Sequence, residues 1–528
     1  MPRRQHHLAP SILGPAQLHR SRNQILESIF YKGLPYSRKL SAHTSCVNYL
    51  AFSSNGARLL ASGGDGARGQ TQITHVSFSS DRDIQIWDFH QDDISDPRHT
   101  CVGHTRNIFT LAFSASNKYL FSGGADNMIH KFDATQFQLP RSSNAERPID
   151  TLSYRNTIRS LSCHPFQDEV FLSASESGRI ILHDERTWRN PSTRARDIIQ
   201  VETEVCDVKF HPTMENIFAS CDSKGTVCLR DVRLGFGPAN KRRNQGVVQV
   251  FNTKISKGSI AHLSNPESSS IAFDRDGTKL AVTMLHHYPT IYSVSDPNPI
   301  AFCSVQTLPD GSLILPGQRS YSNSCTIKHG SFGSLGLDND DFYCAGSDDF
   351  CAYLWKIPSI SSLVEQRQIV DPDEWSGNTI FADTIGYAAG PHEPRYLPVN
   401  IKTPLSRLTG HNSIINTTLV HPNFPYIVTC GIERHIFLHS ATPSTPFSDG
   451  LESTPTEVRS LSGQSTPQED LRVHNLLIGI EPTDSGDLEN STISLFDGIL
   501  RAEGTADPFQ SRRWSPDSDL ESENDSSD

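Results

Sequence analysis

Apolar and polar residues alternate in short runs along most of the chain, and small turn residues separate these runs. A period of two predicts β-strands with one buried face, and Gly, Asp and Asn between them predict tight turns. Segment 23–30 differs, because its apolar residues recur at helical spacing and predict a short amphipathic helix. These residues are Ile25, Leu26, Ile29 and Phe30. We expect this helix either to cap the domain that follows or to dock on a partner.

The strand pattern repeats along the chain. The segment from His43 to Phe52 matches the segment from His104 to Phe113, and each is followed by Ser-Gly-Gly and a further apolar alternation. Weaker copies complete a set of seven units, which begin near residues 38, 99, 149, 198, 246, 324 and 405. Four-stranded sheets cannot bury both faces alone, so such units stack around an axis. We therefore predict an all-β fold, a seven-bladed WD40 β-propeller over residues 38–440 that follows an N-terminal extension, 1–37, with the helix.

Several His, Asp and Trp residues stand at fixed positions of the repeats. In such blades they usually form a hydrogen-bonded network, so we predict a structural and not a catalytic role for them. They are His43, Trp87, His104, Asp126, Asp349, Trp355 and His411. Where the Trp position holds another residue, as at His183 and Arg230, we expect a large or long side chain to cover the sheet in the same way.

Two segments interrupt the repeats. The first unit carries a surplus of about 16 residues, 66–81, compared with the second and last units. It is either a real loop or untranslated sequence kept in the gene model, and we favour the second because its removal restores the normal frame. Residues 358–404, between the last two units, are too long for a plain turn and predict a decorated surface loop or a partner site.

The net charge of −12 belongs almost entirely to the end of the chain. Residues 441–528 hold 18 acidic and 5 basic side chains, whereas residues 1–440 hold 41 and 42. This segment is also rich in Ser, Thr and Pro, a composition that predicts a disordered tail. Two apolar patches within it, 476–480 and 493–500, are either short ligands for a partner groove or segments that pack back on the propeller.

The sequence has no recognisable catalytic motif. It lacks the phosphate-binding, nucleophile-elbow, H-E-x-x-H and dinucleotide patterns, so we expect no enzymatic activity, no metal and no cofactor. The eleven cysteines form no C-x-x-C pair, which is typical of buried thiols in a reducing compartment. No apolar run reaches the ~18–20 residues of a membrane helix. Lys241–Arg243 is a short basic run of the kind found in solvated loops, so we expect no nucleic-acid partner.

Two consecutive units end their third strand with Asp, one spacer and Arg. These D-x-R boxes are Asp184 with Arg186, and Asp231 with Arg233. In one unit alone, the Asp would cap the turn and the Arg would be solvated. Two adjacent units place two guanidinium groups side by side on one rim, and Arg is a favoured side chain at protein interfaces.

The doublet resembles the W-D-x-R boxes of the cullin-4-associated factors, the WD-repeat substrate receptors of cullin-4 RING ubiquitin ligases. The resemblance covers most of residues 38–440 and is closest to the group of associated factor five and its fungal relatives. The stretches that carry it best are 323–328, 346–350, 354–358, 410–416 and 431–434. The box Trp is His183 in one unit and Arg230 in the other, which departs from the pattern of the family.

The resemblance implies a non-enzymatic receptor in the nucleus or the cytoplasm. By position, the two boxes would face the triple-propeller adaptor of the ligase, and the helix around Ile25, Leu26, Ile29 and Phe30 would insert into it. The opposite face, the loop 241–243 and the insert 358–404 would face an unidentified target protein. The alternative is a general WD-repeat scaffold, for example in chromatin or RNA complexes, without a ligase.

Overall fold

The computed structural model describes residues 15–30, 33–41, 43–54, 58–64, 82–89, 91, 93–139, 145–187, 194–260, 262–315, 317–377, 379–444, 450–477, 485–503 and 509. The suspect segment 66–81 lies outside these residues, so its interpretation stays a prediction. The described chain contains six α-helices: α1 Pro15–Phe30, α2 Val232–Gly235, α3 Ile360–Gln366, α4 Pro372–Gly377, α5 Pro467–Leu477 and α6 Ser485–Glu503. Single turns of 3-10 helix lie at 136–138, 185–187, 195–197, 239–241, 244–246 and 379–381.

Most of the described chain is β-sheet. The first four sheets each contain four antiparallel strands in sequence order. Sheet 1 is Val47–Phe52, Leu59–Gly64, Ile84–Asp88 and His99–Cys101; sheet 2 is Ile108–Phe113, Tyr119–Gly124, Met128–Asp133 and Asp150–Ser153; sheet 3 is Ile158–Cys163, Val170–Ser175, Arg179–Asp184 and Ile198–Gln200; sheet 4 is Val205–Phe210, Ile217–Asp222, Val227–Asp231 and Val247–Phe251.

Three further sheets repeat this order, with additions at their outer edges. Sheet 5 is Ser268–Phe273, Lys279–Met284, Thr290–Ser293 and Pro299–Cys303, with Val399–Ile401 added in parallel; sheet 6 is Ser331–Gly333, Phe342–Gly346, Ala352–Lys356 and Ser406–Leu408; sheet 7 is Ile415–Val420, Tyr426–Gly431, His435–Ser440 and Tyr36–Ser41, with Glu452–Ser453 at its edge. Sheet 7 therefore takes its fourth strand from near the start of the described chain.

The first strands of sheets 1 to 7 contact one another in cyclic order, and the first strand of sheet 7 returns to that of sheet 1. Apolar clusters fill the spaces between neighbouring sheets, and the two predicted tryptophans, Trp87 and Trp355, are fully buried in them. Because burial of apolar area is the dominant favourable contribution to folding, these clusters hold the sheets together. The predicted all-β propeller fold is confirmed.

The position that a Trp occupies in sheet 1 makes the same hydrogen bond in several sheets, whatever its side chain. In each case a ring or guanidinium nitrogen on the third strand bonds a Ser or Thr hydroxyl on the second strand. The pairs are Trp87 with Ser62 at 3.4 Å, His183 with Ser173 at 2.8 Å, Arg230 with Ser220 at 2.8 Å, and His439 with Thr429 at 3.0 Å. Different residues therefore satisfy one structural requirement, the pairing of a buried hydroxyl.

The predicted histidines that precede the sheets bond a hydroxyl on the second strand of their own sheet. His104 bonds the Ser122 hydroxyl at 2.7 Å and the Asp126 carboxylate at 2.9 Å. In sheet 7, His411 is within 2.8 Å of the Thr429 hydroxyl, and its carboxylate partner at 2.7 Å is Glu433. The other members of the predicted set are also buried: His43 bonds Ser62 at 2.7 Å, Trp355 donates to the Ser304 carbonyl at 3.0 Å, and Asp349 accepts from the Tyr353 hydroxyl at 2.5 Å.

The insert 358–404 is folded. It contains α3 and α4, and it supplies three strands of an accessory sheet whose order is Ile255–Lys257, Ile385–Tyr387, Arg395–Leu397 and Gln368–Val370. Trp375 is buried and stacks on Phe381 with ring centroids 5.3 Å apart. The insert is thus an addition beside sheet 5 with its own small apolar core.

Part of the tail that the sequence predicts to be disordered is ordered in the structure. Residues 450–477 and 485–503 lie against the propeller, where Leu461, Phe496 and Leu500 pack with Phe350 and Ile414. Ion pairs hold some of the acidic residues, which lowers the electrostatic cost of the packing. The prediction of disorder is corrected for these two segments, and the patch 493–500 packs back on the propeller. Residues 510–528 lie outside the described residues.

Candidate interaction surface

The connections between strands define two faces of the ring. In sheets 1 to 7 the link between the first and second strands, and the link between the third and fourth, open on one side, which we call the lower face. The remaining links open on the upper face. This follows from the antiparallel order of the strands. Both D-x-R boxes stand where a third strand ends, so they lie on the lower face of the adjacent sheets 3 and 4.

The two boxes have the same geometry. Arg186 Nε and Nη2 donate to the two Asp184 oxygens at 2.9 and 3.0 Å, and the Arg186 N–H donates to the same carboxylate at 3.1 Å. In the second box Arg233 makes the corresponding bonds to Asp231 at 3.1, 2.7 and 2.8 Å. The guanidinium groups hold the pKa of both carboxyls below their ordinary value. The arginine side chains are 55% and 69% exposed, so each presents a fixed cation to solvent.

The turn itself is not special to these boxes. Asp133 accepts the Thr135 N–H in sheet 2, Ser440 accepts the Thr442 N–H in sheet 7, and Ser293 bonds Ser295 in sheet 5. A short polar side chain that bonds two residues onward is a common way to end a strand. Among the described residues, sheets 3 and 4 differ from the others in one respect. The residue two positions after the short polar side chain is an arginine.

Two exposed apolar side chains lie on the same face and were missed by the sequence reasoning. Phe166 is 59% exposed in the first link of sheet 3, and Met214 is 42% exposed in the first link of sheet 4. Buried histidines anchor both links, since the Phe166 N–H donates to His164 Nδ1 at 3.1 Å and the Met214 N–H to His211 Nδ1 at 3.0 Å. The repeated His-Pro dipeptide at the start of both links was the available signal.

The predicted N-terminal helix is α1, and it docks on the lower face at sheet 6. Arg22 donates to the Gly336 carbonyl at 2.5 Å, and Asn23 donates to Asp338 at 2.8 Å. Leu26 and Phe30 belong to the apolar cluster between sheets 6 and 7, where the Phe30 ring is 6.2 Å from that of Phe342. Of the two alternatives for this helix, capping the propeller is the one observed.

This packing corrects the set of helix residues that the resemblance assigned to the adaptor. Phe30 is only 2% exposed, so it contacts the propeller and cannot reach a partner in this arrangement. Leu26 and Ile29 are half-buried, whereas Ile25 is 60% exposed. The reason is that the propeller presents its own apolar cluster to this side of the helix. Ile25 remains the apolar side chain of the four that faces outward.

The basic run also has a different place from the one expected. Lys241–Arg243 lies in the link between the third and fourth strands of sheet 4, on the lower face and not on the opposite one. Arg242 donates to the Gly237 carbonyl at 2.8 Å and the Ile198 carbonyl at 3.1 Å, and so ties sheet 4 to sheet 3. Arg242 therefore links the two sheets close to the two boxes.

Among the described residues, one group has the spacing of metal ligands: His104, Asp126 and His130. Both ring nitrogens of His104 already bond Ser122 and Asp126 in the network of sheet 2, which accounts for the group without a metal. All eleven cysteines are free, and nine of them are buried. No helix in the described part of the chain is long and apolar enough to cross a membrane.

On the lower face, the box arginines offer fixed cations, and Phe166 and Met214 offer apolar contacts. Such a surface suits recognition of another protein.

The family model for the WD domain, G-beta repeat, matches residues 35–67, 95–133 and 402–440. Three segments of the chain are thus similar to the WD repeat. Over 407 residues, 77% of its length, it is 29% identical to DDB1- and CUL4-associated factor 5 of Mus musculus. The human counterpart is 28% identical over the same share. The chain spans about a third of the length of these relatives, 34%.

Shorter similarities extend to further proteins whose names mention WD repeats. The chain is 29% identical to WD and tetratricopeptide repeats protein 1 of Homo sapiens over 182 residues, 34% of this chain and 22% of the relative. It is 31% identical to WD repeat protein iqw1 of Schizosaccharomyces pombe over 116 residues, 21% of this chain and 12% of the relative. The resemblance to cullin-4-associated WD40 factors is thus confirmed.

Proposed function

We propose that this protein is a non-enzymatic substrate receptor of a cullin-4 RING ubiquitin ligase. The proposal rests on the similarity to DDB1- and CUL4-associated factor 5 over 77% of the chain. The relatives' name supplies the partners, the adaptor DDB1 and the cullin CUL4. Catalysis would belong to other subunits, and the receptor would act by raising the effective concentration of target lysines near the charged ubiquitin carrier.

The observation that carries the site assignment is the paired geometry of the two boxes. Arg186 and Arg233 stand at equivalent positions of adjacent sheets, each clamped by its own aspartate, with more than half of each side chain exposed. A guanidinium that is already oriented loses less side-chain freedom on binding, so it suits an interface hot spot. Phe166 and Met214 supply apolar area beside the boxes. We assign the adaptor contact to this part of the lower face, together with Ile25 on α1.

The test is a binding measurement with purified full-length protein and purified adaptor. The variant Arg186→Ala/Arg233→Ala is compared with the wild type and with Arg106→Ala/Arg155→Ala, which makes the same change of net charge. Arg106 and Arg155 are exposed on the upper face, in the links that lead into sheets 2 and 3. We expect the box variant to weaken binding at least tenfold, because arginine is enriched among the hot spots whose truncation costs about 2 kcal/mol or more, and the control variant to bind like the wild type.

The outcomes separate the two parts of the proposal. Failure of the wild type to bind the adaptor would contradict the ligase function and favour a general WD-repeat scaffold. Binding of the wild type and the box variant with equal affinity would contradict only the site. Both variants should fold, since exposed substitutions of this kind change stability by about 0.5 kcal/mol or less.

A further inference from the structure

The upper face has a cavity of about 230 Å³ at the mouth of the central channel. Its wall includes Asn48, Asn107, Arg159 and Asn416, which lie at or just before the upper ends of first strands in four different sheets. His329 also lines the cavity, and it contacts Tyr49, the residue after Asn48. Lys209 reaches across the channel to the Tyr49 hydroxyl at 3.1 Å, and the His329 ring lies 4.8 Å from the Tyr49 ring. We call this cavity, which the ends of several first strands surround, the cup.

Helix α6 lies over this cup. Phe496 is one of the residues that line the cavity, and it also packs against the apolar cluster that contains Phe350, Ile414 and Ile432. The next residue, Asp497, is 1% exposed and accepts two hydrogen bonds of 2.8 Å from Arg459.

Arg459 stays with the propeller independently of α6. Its Nε donates to the Asn412 carbonyl at 2.7 Å, and its guanidinium lies 4.6 Å from the centre of the Phe350 ring. Both contacts are with links of the upper face. The cup and Arg459 therefore form one site, with a place for an aromatic ring and a place for a carboxylate.

Phe496 and Leu500 of helix α6 pack in the apolar cluster, and ion pairs join Glu489 to Arg434 and Asp497 to Arg459. The most buried positions of the helix are Ser491, Ser494, Asp497 and Leu500, at every third residue. The hydroxyls of Ser491 and Ser494 donate to carbonyls of their own helix at 2.7 and 2.8 Å. Because two of the four most buried positions are serines, the helix buries less apolar area than one with leucine there, and its contact with the propeller can open without global unfolding.

We propose that the cup and Arg459 are the site for an acidic target peptide that carries an aromatic residue followed directly by an acidic one, and that Phe496-Asp497 of α6 is its internal mimic. This inference names the target class for the receptor proposed above and deepens that function. A tethered helix acts at an effective concentration in the millimolar range, so it excludes weak peptides and admits those that bind more tightly. The site faces away from the D-x-R boxes, which leaves the lower face open for an adaptor.

The probe is a fluorescein-labelled synthetic peptide with the sequence of residues 485–503, titrated into the full-length protein and followed by fluorescence anisotropy. We expect Phe496→Ala to bind it at least tenfold more tightly than the wild type, because the internal mimic no longer competes. Leu471→Ala is the matched control, since this exposed leucine on α5 is 58% accessible and its truncation should leave affinity unchanged. Addition of Arg459→Ala to Phe496→Ala should reverse the gain.

A second probe, with Ala and Asn in place of the Phe and Asp, should bind Phe496→Ala at least tenfold more weakly. Equal affinity of the two probes, or equal affinity of the wild type and Phe496→Ala for the first, would overturn the proposal. If Phe496→Ala does not fold, hydrogen exchange of the wild type decides. A saturating excess of the first probe should then speed exchange in 485–503 and not in α1, and no change in 485–503 would also overturn it. The assay contains no adaptor, so its failure leaves the adaptor proposal untouched.

Discussion

Arg233 and Asp231 form a two-point ion pair in which guanidinium and carboxylate meet across hydrogen bonds of 3.1 and 2.7 Å. The carboxylate also accepts the N–H of the same arginine at 2.8 Å, so the turn and the side chain are fixed together. The equivalent pair in the preceding sheet shares every one of these contacts. The aspartates therefore orient the arginines, and their effect on binding can be measured separately from the positive charge.

Loss of the orienting carboxylates should weaken adaptor binding while both arginines remain. We expect Asp184→Asn/Asp231→Asn to lower affinity about threefold to tenfold, because immobilising a flexible side chain costs about 0.5–1.5 kcal/mol. The control is Asp133→Asn, which makes the same change at the same kind of turn, where Asp133 accepts the Thr135 N–H at 3.0 Å, in a sheet without a box arginine. Isothermal titration calorimetry with the adaptor measures the affinity of the wild type, the double variant and the control. Equal losses in the control would show that a general loosening of the turns is responsible.

The two sides of α1 should respond differently to truncation. Phe30→Ala leaves a cavity beside Phe342 and should lower the free energy of unfolding by about 3–5 kcal/mol, or release the helix with faster hydrogen exchange in 15–30. Ile25→Ala should leave stability within about 0.5 kcal/mol, because this side chain is 60% exposed. If α1 contributes to the adaptor contact, Ile25→Ala weakens adaptor binding without a change in exchange. Unchanged affinity would remove α1 from the proposed interface.

Buried histidines should make the protein sensitive to mild acid. Burial lowers the pKa of His439 to about 3. The unfolded chain therefore takes up a proton below about pH 6.5 that the folded chain excludes, so this contribution to stability is complete above that pH and declines as the pH falls. One such group accounts for a slope of up to about 1.36 kcal/mol per pH unit.

Urea unfolding at several pH values between about 7 and 5 measures that slope. We expect His439→Gln to reduce this slope by an amount that corresponds to the uptake of up to one proton on unfolding. The reason is that the amide does not titrate and can still donate to Thr429. His474→Gln, at an exposed position on α5, is the control and should leave the slope as it is. An unchanged slope in His439→Gln would contradict the assignment of His439 as a buried neutral histidine.

The buried pair Lys328 and Asp348 should be strongly coupled. The two side chains are 0% and 1% exposed, and Nζ lies 2.6 Å from the carboxylate. Lys328→Met leaves the buried carboxylate without this cation and should lower the free energy of unfolding by about 3–5 kcal/mol. Asp348→Asn can keep the bonds from Ser324, and the double variant should recover part of the loss. A double-mutant cycle by chemical unfolding measures the coupling, and additive effects would contradict it.

The sequence predicted those parts of the fold that repeat. His104–Phe113 and its copies mark first strands of sheets, and the box arginines were found because one short pattern recurs in neighbouring units. The accessory sheet was not foreseen, because its strands are three residues long and come from segments far apart in sequence, 255–257 and 368–397. The sequence reasoning assigned Phe30 to the adaptor and missed its burial for the same reason. Its partner Phe342 lies in a distant unit, and the helical pattern shows an apolar side without saying what covers it.

The pairing of Tyr36–Ser41 with His435–Ser440 has a consequence for synthesis on the ribosome. The strand nearest the start of the chain must wait, with both edges unpaired, until about 400 further residues have been translated, which takes about 20–80 s at ~5–20 residues per second. Unpaired strand edges promote aggregation during such a delay. The ring can therefore close only when its last strands emerge, and the edges of the first strand stay open to wrong pairing over this interval.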